Sequence, residues 1–425
     1  MKIEELYKIY RQYPSVQTDT RKLRQGDIFF ALKGSNFNGN EFAKQAIDAE
    51  AIHAVIDEKK FEVPGKTILV NDVLGSLQEL AKYHRQQFSI PFIGITGSNG
   101  KTTTKELIHA VLSTSLKTYT TEGNLNNHIG VPLTILKIKD DAEMAVIEMG
   151  ANHIGEIASY CKIALPTHGL ITNCGKAHLE GFGSEEGVRK GKGELYDHLR
   201  KNNGMAFLMK DYAYLNEMSK GIQKIFSYGT KDADIEGEIL QRQSFLQIKI
   251  NKVANLSSIK TQLVGEYNFP NVLAAVAVGK YFKIQDDKIK TAIENYSPSN
   301  SRSQLIKKGN TTIILDAYNA NPSSMKLAIE NFATMNAGNK VLLLGAMAEL
   351  GKQSLQEHQS IIDLILQYNW KNVVLVGGDF MKIDHPFLKF QNSEQARQWY
   401  KQQDFNDSSL LVKGSRSVQM EKILE

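Results

Sequence analysis

The chain has 425 residues, 42% hydrophobic and 23% charged, with 51 lysines and arginines against 46 aspartates and glutamates. That length exceeds one ordinary core and predicts two or three soluble globular domains. The net charge of +5 suits anionic small molecules, but no basic block argues for nucleic acid, and no apolar run of about 18 residues exists to span a membrane.

In chain order, MKIEELYKIYRQY at the N-terminus has the spacing of an amphipathic helix and lacks an apolar signal core. Strands are predicted over Ile28–Leu32, His53–Asp57 and Thr67–Val70, with helices over Glu41–Asp48 and Leu74–Gln87 and a polar turn over 33–40. These make a small N-terminal α/β domain, residues 1–87. From 88 to 297, strands 90–95, 143–148, 168–172 and 205–209 alternate with helices 101–115, 154–162 and 185–201. That alternation predicts parallel βαβ units. Short alternating runs between about 224 and 264 suggest an antiparallel patch, and a helix over 270–281 opens with Pro270 in its first turn. Ser297-Pro298-Ser299-Asn300-Ser301 reads as a linker. A third domain, residues 298–425, repeats the alternation: strands 312–315, 340–344, 372–376 and 409–412, helices 323–335, 354–368, 393–403 and 417–424. It is expected to be doubly wound and Rossmann-like. Cys161 and Cys174, the only cysteines, lie in apolar context and read as buried thiols of a reducing cytoplasm.

The central domain carries Thr96-Gly97-Ser98-Asn99-Gly100-Lys101-Thr102-Thr103 between a buried strand and a helix. Glycines there let backbone N–H groups turn toward a polyphosphate, and the helix N-terminus adds positive potential. Lys101 suits the outer phosphates and the Thr102 hydroxyl suits Mg²⁺. The pattern is the shorter T-G-x-x-G-K-T form, since Ile95 stands where G-x-x-x-x-G-K-[ST] has glycine. This predicts a P-loop ATPase domain.

Other polar residues fall at strand ends, where open α/β sheets bind ligands. Glu148 ends one apolar strand and is placed either to reach a phosphate-bound metal or to face solvent. His178 follows another strand, as a second ligand or as a structural histidine. Asn124, Asn126 and Asn127 suit sugar hydroxyls or pyrophosphate, or simple turn chemistry. Lys192 sits between Gly191 and Gly193 in a predicted helix, where glycine costs about 1 kcal/mol against alanine, which hints at close approach of something bulky.

The chain resembles the Mur ligase family, most closely its branch that joins D-alanyl-D-alanine to UDP-N-acetylmuramoyl-tripeptide. The resemblance rests on Thr96–Thr102, Asn124–Pro132, Ile147–His153, His178–Ser184, Asp316–Pro322, Gly345–Gly351 and Lys413–Ser417, and covers essentially the whole chain. It implies that Gly97, Ser98, Asn99, Gly100, Lys101, Thr102 and Thr103 bind ATP phosphates, with Asn268 and Asn271 facing adenine and Arg302 and Asp316 closing on phosphates and ribose. It implies two Mg²⁺ ions, one on Thr102 and a second on Glu148 and His178, with Lys192 matching the family's carbamylated lysine; Lys101, Lys192, His178 and Glu148 form the implied catalytic set. Thr20, Arg21 and Lys33 match the part that holds the uridine nucleotide. Asn124, Asn126, Asn127, Asn319, Ser415 and Arg416 complete the implied substrate contacts. The implied reaction phosphorylates the tripeptide's terminal carboxylate, and the dipeptide amine then displaces phosphate. A cytoplasmic monomer is implied.

Three features depart from the family pattern. Tyr267 stands where histidine is frequent, Met209-Lys210-Asp211 replaces an asparagine-containing strand end, and Asn300-Ser301-Arg302-Ser303 lacks the usual glycine before the arginine. A diamino-acid-adding branch would need an Asp/Asn-Pro-Arg signature that is not seen, and folylpolyglutamate synthases share the fold without the His178–Ser184 and Lys413–Ser417 stretches. A P-loop switch or motor ATPase would not need the asparagine cluster.

Overall fold

The structure, a computed structural model, describes residues 1–241, 245–251, 256, 258–299 and 301–425. Asn300 of the expected linker lies outside the described residues. The chain forms two compact units. One comprises Met1–Ile95, Leu116–Ala151 and Gly155–Gly169; the other comprises Thr96–Ser115, Asn152–Ile154 and Leu170–Glu425.

The first unit opens with α1 (Ile3–Gln12), which buries Leu6 and Tyr10. Strands β1 (Val16–Gln17) and β2 (Ile28–Phe30) lead to a hairpin of β3 (Lys33–Gly34) and β4 (Phe37–Asn38) within the expected polar turn, then to α2 (Ala43–Asp48), β5 (His53–Ile56) and β6 (Thr67–Leu69). β1, β2, β5 and β6 form a parallel sheet in that order. Phe29, Ala31 and Ile56 pack there with Ala43 and Ala46 of α2. Helix α3 (Val73–Arg85) starts where the Asp72 carboxylate accepts the Leu74 and Gly75 N–H groups, a side-chain cap.

Next come β7 (Phe92–Thr96), α4 (Lys101–Leu112), β8 (Thr118–Thr120), α5 (Gly130–Ile135), β9 (Met144–Glu148), α6 (Glu156–Ala164) and β10 (His168–Ile171). Within the first unit, β8, β9 and β7 run parallel side by side. β9 is buried along its whole length, which is why Met144-Ala145-Val146-Ile147 is a continuous apolar run rather than an alternating one. α3 packs on α1, α5 and α6. Its Arg85 lies 3.6 Å from the Phe92 ring centroid and donates to the Ala164 and Leu165 carbonyls.

In the second unit, α7 (Leu179–Phe182), α8 (Glu185–Lys201), β11 (Met205–Met209), α9 (Ala213–Met218), β12 (Lys224–Gly229), β13 (Ile235–Gln241), β14 (Gln247–Asn251) and β15 (Ile259–Lys260) follow. β11, β12 and β13 are parallel, and the antiparallel patch begins only at the β13–β14 pairing, later than the sequence suggests. Helix α10 (Phe269–Tyr281) is buried nearly all round, as its uniformly apolar sequence requires. It packs on α4, as does α11 (Asp286–Asn295).

The remaining elements are β16 (Gln304–Lys308), β17 (Thr311–Asp316), α12 (Pro322–Thr334), β18 (Lys340–Gly345), α13 (Ser354–Ile365), β19 (Asn372–Val376), β20 (Leu388–Phe390), α14 (Ser393–Tyr400) and β21 (Ser409–Lys413). Their sheet has the order β16-β17-β21-β18-β19-β20, parallel except for the β16 edge. Ile313, Leu343, Val374 and Val412 lie in one core. The helix expected over 417–424 is instead a 3₁₀ segment at Met420–Leu424. Gln419 takes a left-handed φ of 55° that breaks an α-helix, while Met420 and Ile423 anchor the segment in the core. Cys161 and Cys174 are buried free thiols.

Candidate active site

The phosphate loop joins β7 to α4. Gly97 has φ 144° and a Cβ there would lie 2.0 Å from Thr172 Oγ1; Gly100, at the N-cap of α4, has φ 80° and a Cβ would lie 2.6 Å from Asn271 Oδ1. Only glycine meets both demands. The loop is held from behind by the segment after β10. Asn99 N–H donates to Asn173 Oδ1 at 3.0 Å, the Thr172 hydroxyl donates to the Asn99 carbonyl at 2.6 Å, and Ser98 Oγ donates to the Gly175 carbonyl at 2.9 Å. Lys101 Nζ donates to the Gly97 and Ser98 carbonyls at 2.6 and 3.2 Å. Thr102 is buried.

α10 reaches this loop through two buried amides. Asn271 Nδ2 donates to Asn268 Oδ1 at 3.0 Å, and Asn271 Oδ1 accepts from Thr104 Oγ1 at 3.0 Å. Asn268 Nδ2 donates to the Val264 carbonyl. Of the two asparagines expected to face adenine, Asn271 is thus fixed against the first turn of α4 and Asn268 is held by Asn271 and Val264.

In the first unit, Glu148 is buried at the end of β9. Its N–H donates to Thr121 Oγ1 at 2.9 Å and its Oε1 accepts from Asn126 Nδ2 at 2.7 Å. Asn126 therefore orients that carboxylate, while Asn127 Oδ1 accepts the Ile129 and Gly130 N–H groups and shapes the turn into α5. Asn124 is exposed. The three amides have three different surroundings. Among the residues expected near uridine, Arg21 pairs with Asp19 at 2.8 Å next to Thr20, and Lys33 pairs with Asp57 at 2.8 Å and Glu58 at 3.1 Å.

In the second unit, His178 sits at the N-cap of α7 with φ 52°. Its Nδ1 is 2.7 Å from Glu349 Oε2, and that histidine contact holds the Glu349 carboxyl below its usual range. The Glu349 carbonyl accepts the Glu180 N–H at 3.1 Å. Lys192 is fully buried in α8, with Nζ 4.9 Å from the Phe182 ring centroid. Of the two flanking glycines, one has the expected bulky neighbour and the other does not. A Cβ at Gly191 would lie 2.5 Å from Phe182 Cε1, so its space is filled by that ring, and Gly193 has only an ordinary contact with Met218. Burial also pushes the Cys174 thiol up to about 12, leaving it protonated and inert.

The 301–425 segment brings further residues to the loop. Asn321 Nδ2 donates to Asn99 Oδ1 at 2.8 Å. Ser323 Oγ accepts the Lys176 N–H at 2.9 Å, and Lys176 Nζ pairs with buried Glu357 at 2.6 Å. Asp316 has both oxygens engaged: Oδ2 accepts from Lys413 Nζ at 2.5 Å and Oδ1 from Ser303 N–H at 3.0 Å. Arg302 lies 3.6 Å over the Tyr318 ring, and Arg416 lies 6.0 Å from the same centroid. Asn319 is exposed. Ser415 is buried, its hydroxyl donating to the Ala320 carbonyl and accepting the Ala348 N–H, so it knits strand-end loops together. Asn321, Ser323, Glu357, Tyr318 and Lys413 were not singled out by the sequence. Asn321, Tyr318 and Lys413 lie within family-like stretches, but Glu357 carries no local signal.

The family model for the Mur ligase middle domain matches residues 95–279, that for the Mur ligase glutamate ligase domain 301–416, and that for the Mur ligase family catalytic domain 12–86. The chain is 34% identical over 424 residues to the UDP-N-acetylmuramoyl-tripeptide–D-alanyl-D-alanine ligase of Bacillus subtilis, covering 96% of this chain and 92% of the relative. The same enzyme of Escherichia coli is 35% identical over 96% of this chain and 92% of its own. A crystal structure of MurF from Acinetobacter baumannii matches with TM-score 0.86 at 31% identity over 96% and 92% of the two chains. MurF ligase from Thermotoga maritima in complex with ADP matches with TM-score 0.86 at 27% identity over 96% of each. The three domain matches and these full-length relatives establish that the chain belongs to the Mur ligase family.

Proposed function

We propose that this protein is the ATP-dependent, ADP-forming ligase that joins D-alanyl-D-alanine to UDP-N-acetylmuramoyl-tripeptide and so makes the pentapeptide precursor of peptidoglycan. The observation that carries this is the phosphate loop with Asn271 set against Gly100 and Asn321 against Asn99, in a chain that matches MurF relatives over 96% of its length. Residues 1–87, 88–297 and 298–425 act as the uridine-nucleotide, ATP and ligase domains.

Backbone N–H groups of Gly97–Thr102 and the Lys101 ammonium orient the ATP phosphates toward the tripeptide carboxylate. Holding two anionic reactants in line is where most of the rate comes from, because positioning and charge stabilisation replace covalent chemistry by the protein. The tripeptide carboxylate oxygen attacks the γ-phosphorus and ADP leaves. The dipeptide amine then attacks the acyl carbon, loses its proton, and phosphate departs with the C–O bond's electrons.

Among the described residues, no group of three or more His, Cys, Asp or Glu gathers into a metal cage. The buried Thr102 hydroxyl and Glu148 carboxylate are the hard oxygen donors that Mg²⁺ takes, one or two at a time, beside substrate phosphates. The residues therefore fit Mg²⁺, which when bound screens charge between phosphate and carboxylate. His178 would offer Nε2, since Nδ1 faces Glu349. Lys192 of α8 is the lysine that would carry the carbamate. The neutral amine adds to CO₂ and loses a proton, leaving a carbamate whose oxygens suit Mg²⁺. Phe182, packed into the space at Gly191, walls one side of that lysine. No described helix is long and apolar enough to cross a membrane, and a cytoplasmic monomer fits this reading.

Phosphate release by the full-length protein tests the proposal. It should require ATP, the UDP-tripeptide and D-alanyl-D-alanine together, and tripeptides ending in meso-diaminopimelate and in lysine identify the preferred third residue. Faster release with a free diamino acid and the UDP-dipeptide would overturn it.

A further inference from the structure

We infer that Tyr267 is a positioning residue for the nucleotide, acting through Ser303. Its phenol oxygen lies 3.0 Å from Ser303 Oγ. Ser303 in turn reaches Asp316 Oδ1 twice, through its N–H at 3.0 Å and its hydroxyl at 3.4 Å, and Asp316 Oδ2 accepts from the buried Lys413 ammonium at 2.5 Å. A carboxylate can only accept. The chain therefore has one direction: Tyr267 donates to Ser303, Ser303 donates to Asp316, and Lys413 closes the far side.

The backbone explains why such a chain is needed. Ser301 and Ser303 have left-handed φ values of 57° and 48°, a region that disfavours residues other than glycine. Such a conformation persists only where partners hold it. Here the partners are Tyr318, whose N–H donates to the Ser301 carbonyl at 3.1 Å, and the Tyr267–Ser303–Asp316 chain. Arg302 lies between the two strained serines with its guanidinium over Tyr318. The Tyr267 ring is itself seated, because a Cβ at Gly265 would lie 2.3 Å from its Cε1. Tyr267 also directly precedes Asn268. One hydroxyl thus connects the adenine-side asparagines to the turn that presents Arg302 and Asp316. This rests on the reading above that those residues serve ATP.

The test is steady-state kinetics of the full-length ligase with ATP varied. Tyr267→Phe keeps the ring and removes the hydroxyl, and should raise KM for ATP by about threefold to tenfold, the factor one net hydrogen bond supplies. kcat and the KM values for the other substrates should stay within about twofold. Ser303→Ala should give the same split, and the double variant should be no worse than either single one, since both break one connection. An unchanged KM for ATP in Tyr267→Phe, a loss confined to kcat, or effects that multiply in the double variant would each overturn the inference. Arg302→Ala separates the two levels. If it weakens ATP while Tyr267→Phe does not, the nucleotide site stands and the relay fails; if neither weakens ATP, the assignment of Arg302 fails.

Discussion

Asn321 donates a 2.8 Å hydrogen bond to the side chain of Asn99 across 222 positions of sequence, tying the first turn of α12 to the phosphate loop. The same Asn321 caps α12, its Oδ1 accepting the Ser324 N–H at 2.9 Å.

Asn321→Asp should separate those two roles. The carboxylate still caps and suits the helix dipole, but it cannot donate to Asn99 and sets a negative charge beside the phosphates. The melting temperature should move by no more than about 2 °C, while kcat/KM for ATP falls about tenfold or more. Asn321→Ala, losing the cap as well, should also cost about 1 kcal/mol of stability. Thermal melts and initial rates on the two variants check this.

Lys101→Ala should leave less than about a tenth of wild-type turnover, because the loop's only full positive charge on the phosphates is gone. The fold should survive. α4 is anchored by buried Leu107, Ile108 and Val111, and Lys101 Nζ donates to the Gly97 and Ser98 carbonyls of the loop rather than packing in that core. Circular dichroism alongside phosphate release distinguishes a dead site from an unfolded chain.

Lys192→Ala should be nearly inactive and Lys190→Ala mildly affected, since Lys192 is fully buried whereas Lys190 is exposed on the other side of α8. Short carboxylic acids should partly restore Lys192→Ala by returning oxygen donors. Rescue would not follow from a merely structural loss. An active Lys192→Ala enzyme, with a bare ammonium in wild-type crystals grown in bicarbonate, would sink the carbamate.

His358 predicts a loss of stability in acid. Its Nε2 accepts the Met347 N–H at 3.0 Å and its Nδ1 contacts the Ser354 carbonyl at 2.7 Å, so the ring is neutral with the proton on Nδ1. Burial, first among the causes, holds its pKa below the usual histidine value. The unfolded chain then binds more protons than the folded one, and stability rises with pH. The contribution is complete above about pH 6.5 and is lost as pH falls toward the lowered folded value. Protonating Nε2 would also set two donors face to face at Met347. Urea midpoints at pH 7.5 and 5.5 should fall in wild type. In His358→Gln the fall should be smaller.

Much of this protein was legible in one dimension. The helix over 185–201 and the strands 205–209 and 372–376 have the bounds expected from sequence, because apolar periodicity and capping residues are local properties. The α/β class followed from strand–helix alternation, and family motifs pointed to most of the candidate residues.

What each polar group does was decided only in three dimensions. Asn124, Asn126 and Asn127 look alike in sequence, yet Asn126 orients Glu148, Asn127 shapes a turn from an exposed position, and Asn124 is exposed. Ser415, implied by the resemblance to contact substrate, has its hydroxyl on the Ala348 N–H and the Ala320 carbonyl, partners that sequence does not name. Gly191 hints in sequence at a bulky neighbour, and only the fold identifies it as the Phe182 ring. The terminal helix expected over 417–424 gave way to 3₁₀ geometry because core burial of Met420 and Ile423 outweighed helical periodicity. Ser301 replaces an expected glycine yet keeps a glycine-like φ of 57°, and its neighbours explain how. Local pattern sets which elements form. A hydrogen bond between Asn99 and Asn321, or between Lys413 and Asp316, depends on where strands and loops distant in sequence come to rest, and that is fixed by packing of the whole core.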